Sequence, residues 1–200
     1  MSTDGHGSDR GDMPSTARDI TAKILDEHRQ VLDTIDNDRA AALVDALDRS
    51  PRTFVAGAGR SGFMMRAFSM RLMHTGRDVH VVGETTTPGI ERGDLLLIGS
   101  GSGSTGSLRM MAEKAKALDA SIGLVTIDAS APIARIADLV LVIPAPSPKA
   151  RHQGRIQSVQ PMGSLFEQGL LLILDALVVL LMERHGMTSD TMFGRHANLE

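Results

Sequence analysis

The feature that most constrains this chain is a short apolar run followed by a small-residue loop and then a segment of helical patterning, occurring twice. Thr53-Phe-Val-Ala leads into Gly57-Ala-Gly-Arg-Ser-Gly62, and Asp94-Leu-Leu-Leu-Ile leads into Ser100-Gly-Ser-Gly-Ser-Thr105. Strand, tight loop and helix in that order open a βαβ unit, which demands a parallel sheet with helices on its faces. Such a loop also gathers backbone N–H groups, hydroxyls and a positive helix end around one point, which suits a phosphate. Two of them in one small chain point to a site for a phosphorylated small molecule.

The remaining pattern extends the alternation. Apolar runs predict strands at 53–56, 79–82, 95–99, 123–127 and 139–143. Helical spacing predicts helices at 62–75, 105–118, a short one at 133–137, and a long one at about 162–186. Ahead of these, Ile20, Ile24, Val31, Leu32, Ile35, Leu43 and Leu47 recur at helical spacing, so residues 15–49 read as two helices broken near Asp36-Asn-Asp38. Residues 1–14, rich in Gly, Asp and Ser, read as a disordered tail, and 15–200 as a single domain. Right-handed crossovers predict strand order 2-1-3-4-5. The expected fold is a three-layer αβα sandwich around a five-stranded parallel sheet of flavodoxin-like topology, with added N-terminal helices. That order sets the two loops side by side at the carboxyl ends of strands 1 and 3, where such sheets bind ligands.

Composition narrows the partners. With five Phe and neither Trp nor Tyr, the chain lacks aromatic platforms for stacking bases, and a net charge of −3 gives no electrostatic footprint for nucleic acid. The absence of cysteine excludes disulfides and thiolate metal sites, and the seven histidines show no metal-ligand spacing, so no metal and no cofactor are expected. No signal-peptide core is evident, which reads as a cytoplasmic protein. The stretch from Gly169 to Met182 is apolar but shorter than the roughly 20 residues of a membrane span and contains Asp175. It reads as a buried or subunit-interface helix.

Each motif has a plain and a functional reading. Ser100, Ser102, Ser104 and Thr105 are compatible with a turn and a helix N-cap, but four hydroxyls interleaved with glycine exceed what a cap requires. On the plain reading, Gly57 and Gly59 simply permit a tight strand-to-helix turn. The spacing to Gly62, with Glu84 after strand 2, superficially matches a dinucleotide fingerprint, while Arg60 and Ser61 stand where they can meet substrate oxygens. Glu167, in the first turn of an apolar helix, by default complements the helix dipole. His196, near the terminus, reads either as part of an inert tail or as a group that reaches a neighbouring subunit.

Taken together, these residues resemble the sugar isomerase (SIS) domain family, and more narrowly its 6-phospho-3-hexuloisomerase branch. The two loops carry the broad resemblance. Gly83-Glu-Thr-Thr-Thr-Pro-Gly-Ile90, Gln160-Pro-Met-Gly-Ser-Leu-Phe-Glu167 and Arg195-His-Ala-Asn-Leu-Glu200 carry the narrow one, so that the match spans roughly 20–200. The resemblance implies interconversion of a 3-hexulose 6-phosphate with fructose 6-phosphate in the ribulose monophosphate route of formaldehyde fixation. It also implies a homo-oligomer, with a tetramer favoured and active sites shared between subunits, and a separate synthase chain for the preceding step. Moving a carbonyl from C3 to C2 needs a base and oxyanion stabilisation around a cis-enediol, without metal or redox chemistry. On this reading Glu167 is the base and His196 assists, in its own or a neighbouring subunit. Ser100, Ser102, Ser104 and Thr105 hold the phosphate, and Arg60 and Ser61 orient the sugar.

Two alternatives belong beside it. One is a sister isomerase acting on arabinose 5-phosphate or sedoheptulose 7-phosphate. The other is a non-catalytic sugar-phosphate regulator, for which residues 15–49 are too short and acidic to supply a convincing DNA-binding module.

Overall fold

The computed structural model describes residues 16–148 and 157–199; the tail expected at 1–14, and Glu200 of the terminal motif, lie outside the described residues. Five parallel strands, β1 (Arg52–Gly57), β2 (Asp78–Val81), β3 (Leu95–Gly99), β4 (Ser121–Thr126) and β5 (Leu139–Val142), form one sheet in the order β2-β1-β3-β4-β5. This is the order that right-handed crossovers predict. Gly57 pairs with Gly99 at the carboxyl ends of β1 and β3, so the two loops leave the sheet in register.

The helices are α1 (Ala17–Leu32), α2 (Asn37–Arg49), α3 (Gly59–His74), α4 (Gly106–Ala117), α5 (Ser164–His185) and α6 (Ser189–Phe193). The expected break between α1 and α2 falls at Asp36, whose carboxylate accepts from the N–H groups of Asp38 and Arg39 at 3.0 and 3.1 Å. Along the central strands alternate residues serve opposite layers. Val55, Leu95, Leu97 and Val125 pack with Val31, Leu43, Phe68, Leu72 and Leu174 on one face. Phe54, Leu96, Ile98 and Leu124 meet Leu108, Ala112 and Ile133 on the other. All four apolar residues of β3 are at most 2 % exposed, and burying each contributes about 1.5–3 kcal/mol.

The layers are unequal. One face is covered by α1, α2, α3 and α5, the other by α4 and the turns around Ile133. The short helix expected at 133–137 is replaced by successive turns. Ile133 donates its N–H to the Gly103 carbonyl at 3.0 Å, which ties this segment to the second loop. One other feature departs from expectation: a short helix, α6, follows α5, while α5 itself, 22 residues long, is the long helix expected at about 162–186. By length and hydropathy α5 is apolar enough to cross a membrane, yet one side of it is buried against the sheet-covering helices.

Candidate active site

Two pairs of close contacts shape the carboxyl edge of the sheet. A Cβ placed on Gly62 would lie 2.8 Å from the Gly57 carbonyl oxygen, and one on Gly57 would lie 2.9 Å from the Gly62 Cα. The end of β1 and the first turn of α3 therefore touch backbone to backbone. Gly99, at the end of β3, sits under Met65 and Leu170, where a Cβ would come within 2.6 and 2.8 Å of their side chains. These approaches draw α3 and α5 inward over the two loops.

The result is a cleft of about 430 Å³ between β1 and β3. Arg60, Ser61, Ser100, Ser102, Thr105 and Glu167 all line it. Ser147, Pro148, Met162, Gly163 and Phe166 complete its walls. Sequence reasoning did not assign roles to these five. Met162, Gly163 and Phe166 fall within a motif it had singled out, whereas Ser147 and Pro148 carry no local signal.

The helix ends around the cleft share a property. The N-caps of α3, α4 and α5 are Ala58, Thr105 and Gly163; all three line the cleft and none makes a side-chain capping hydrogen bond. By contrast α1, α2 and α6 are capped by the side chains of Thr16, Asp36 and Thr188. First-turn N–H groups need partners, and each helix start carries about half a positive charge. Three helix starts left without caps around one cleft form an environment for an anion. The capping alternative for the serine loop is not what is observed. Thr105 stands at the N-cap without the capping bond, while Ser100 Oγ accepts from the Gly103 N–H at 3.2 Å within the loop.

Glu167 is on the first turn of α5, 16 % exposed, and its Oε2 accepts from Arg60 Nε at 2.5 Å. Arg60 is 60 % exposed, so the pair forms the rim-to-floor wall of the cleft. Sequence reasoning named both residues but not their contact, which bridges positions 107 apart. A carboxylate near uncapped helix ends, beside a guanidinium, can move protons while the cations hold developing negative charge.

Two expected site residues are elsewhere. Ser104 is exposed and does not line the cleft; its N–H donates to Ser102 Oγ at 3.4 Å. His196 is not beside Glu167 in the same protomer. Its Nδ1 is 3.2 Å from His74 Nε2, at the far end of α3, and its ring stacks on Phe193 with centroids 5.9 Å apart. Because α3 begins at the cleft and ends at His74, its 16 residues set these places roughly 20 Å apart. A second cavity of about 410 Å³ surrounds His74, His196 and Arg71. Burial, with the charges of Arg71 and His196, holds the His74 imidazole below its usual pKa.

Known proteins resemble this chain over most of its length. The SIS domain family model matches residues 46–172. The chain is similar to a 3-hexulose-6-phosphate isomerase of Bacillus subtilis, with 48 % identity over 182 residues, covering 91 % of this chain and 98 % of the relative. It is similar to one of Mycobacterium gastri, with 43 % identity over 185 residues and coverage of 91 % and 92 %. Among solved structures, a Methanococcus jannaschii protein whose structure infers a molecular function of 3-hexulose-6-phosphate isomerase superposes with a TM-score of 0.77. It is 32 % identical, and the match covers 92 % of this chain and 98 % of that one.

Proposed function

The chain belongs to the SIS domain family, and on that premise we propose that it interconverts D-arabino-3-hexulose 6-phosphate and D-fructose 6-phosphate. The observation that carries this reading is the convergence of three uncapped helix starts and one carboxylate, Glu167, on a single cleft. The relatives named 3-hexulose-6-phosphate isomerase, at 43–48 % identity over most of the chain, support the choice of substrate.

Ser100, Ser102 and Thr105 hold the phosphate at the start of α4. Glu167 removes the C2 proton of the 3-hexulose and returns one to C3, through a cis-enediolate. Arg60, paired with Glu167, stands beside the substrate oxygen on which charge develops, and Ser61 orients the sugar chain. No proton transfer here requires a metal or a redox cofactor.

The position of His196 supports a role in a neighbouring subunit rather than its own, because the two groups lie at opposite ends of α3. We take the assembly to be a homotetramer. The exposed apolar residues Leu172, Val179 and Leu180 on α5, with Phe63 and Met70 on α3, support burial between copies. The packing of α1 and α2 on α5 supports one SIS unit over residues 15–200. The 3-hexulose substrate then comes from a separate synthase chain in the ribulose monophosphate route, and a phosphorylated sugar as substrate supports a cytoplasmic location.

The test is fructose 6-phosphate incubated with the protein in deuterated water. Wild type should place deuterium at C3, and Glu167→Gln should lower the exchange rate by at least about 100-fold while sugar-phosphate binding persists. Tight binding by the wild type without exchange would instead identify a non-catalytic sensor.

A further inference from the structure

Helix α1 buries only three residues, and two of them are polar neighbours, Glu27 and His28, at 7 % and 6 % exposure. Burying a carboxylate is costly unless its oxygens are satisfied. Glu27 is satisfied entirely from one direction. It accepts from Ser158 Oγ at 2.6 Å, from the Val159 N–H at 2.7 Å and from Gln160 Nε2 at 3.1 Å. Ser158 Oγ in turn accepts from the Gln160 N–H at 3.0 Å. Burial pushes the Glu27 carboxyl up, but these hydrogen bonds and the adjacent His28 hold it below the ordinary range.

The clamped segment leads straight into the cleft. Met162 has φ of 59°, a left-handed conformation that costs a side-chain-bearing residue roughly 1 kcal/mol or more and persists only where its surroundings enforce it. Met162 and Gly163 form cleft wall, and the Gly163 carbonyl accepts the Glu167 N–H at 3.0 Å. His28 holds the other side of the same turn, with Nε2 2.7 Å from Oε1 of Gln168, the residue after Glu167. Two adjacent residues of α1 thus grip the chain on both sides of the carboxylate without touching the cleft.

We propose that Glu27 and His28 are positioning residues that fix the 158–163 segment and the first turn of α5, and so set where the Glu167 carboxylate stands over the substrate. This rests on Glu167 being the base. Glu27→Ala should lower kcat about 10-fold, since displacing a reacting group by 1 Å costs up to about 100-fold. KM for fructose 6-phosphate should stay within about threefold, because the phosphate grip on α4 is untouched. Glu27→Gln, which keeps the volume and an acceptor oxygen, should recover part of the loss.

Hydrogen–deuterium exchange gives a readout independent of turnover. In Glu27→Ala, amides of 158–168 should exchange at least about 10-fold faster, with β1 and β3 unchanged. Should Glu27→Ala fail to fold, Ser158→Ala removes one donor from the clamp and should give the same localised change at smaller size. Unchanged exchange over 158–168 in a folded variant overturns the proposal, as does an unchanged kcat. Glu167→Gln run in parallel separates the readings. If it is inactive while Glu27→Ala is fully active, only the positioning role falls. If Glu167→Gln is fully active, the base assignment falls and the positioning role with it.

Discussion

Replacing Gly62 with alanine adds one methyl group where the first turn of α3 meets the backbone of β1. The new Cβ would lie 2.8 Å from the Gly57 carbonyl oxygen and 3.0 Å from its carbon, where ordinary contact begins near 3.4 Å. Both neighbours are backbone, so the first turn of α3 must withdraw from β1 by roughly 0.6 Å. Overpacking of this kind costs about 1–3 kcal/mol, and alanine returns up to about 1 kcal/mol through its better helix propensity. The clash wins, leaving a net loss of about 1–2 kcal/mol and a Tm lowered by about 2–8 °C in a domain of this size. Arg60 and Ser61 lie between the two glycines, so the same withdrawal moves them at the cleft. A shift of this size should reduce kcat about 10-fold. Thermal melting and deuterium exchange with fructose 6-phosphate read the two effects. Gly89→Ala, whose Cβ meets nothing within 4 Å, is the control and should leave both unchanged. A Gly62→Ala protein that melts at or above the wild-type temperature with full exchange activity would refute the argument.

Asp94, 2 % exposed, accepts from Arg52 Nε at 3.1 Å and Nη2 at 2.6 Å and from the Glu91 N–H at 2.8 Å. Asp94→Asn should cost about 2 kcal/mol, lowering Tm by about 4–8 °C, as read by calorimetry. At Asp48, burial opposes the charge, but hydrogen bonds from His185, Arg77 and Arg184 outweigh it and hold the pKa at about 2 against an ordinary 3.8. Because the folded value is the lower one, its contribution is complete above about pH 4 and is lost as pH falls towards 2. With solvent screening allowed, this amounts to about 1 kcal/mol, and Asp48→Asn should flatten that part of a pH–denaturation profile. Truncation after Gly194 removes His196 and should lower exchange activity at least about 10-fold if that group serves a neighbouring cleft. Full activity in the truncated protein would reduce the tail to structure.

What the sequence revealed and what it hid divide along a physical line. Strand order followed from loops attached to apolar runs, because right-handed crossovers leave few topologies for five such strands. The convergence of Ser100, Ser102 and Thr105 with Arg60 and Ser61 was legible for the same reason, since strand order alone brings the loops together. The Arg60–Glu167 contact was not, because it depends on how far α5 tilts over Gly99, and nothing local to position 167 encodes that. Nor was the clamp on Glu27, which reads in sequence as one more acidic residue on an amphipathic helix. His196 is the converse case. Its motif marked it out, but the motif carries no information about which end of α3 the chain returns to.

The unequal covering of the sheet has a consequence for biosynthesis. Helix α5 follows all five strands of the sheet in the chain, yet it completes the layer over Val31, Leu43, Phe68 and Leu72. Until residues 164–185 emerge, the part of that face covered by Leu170, Leu174, Leu177 and Leu181 is left open to water. The layer therefore closes late, and a parallel sheet with distant pairings is slow to form in any case. A chain stopped before α5 keeps α1, α2 and α3 on that side but loses the helix that closes the layer over them.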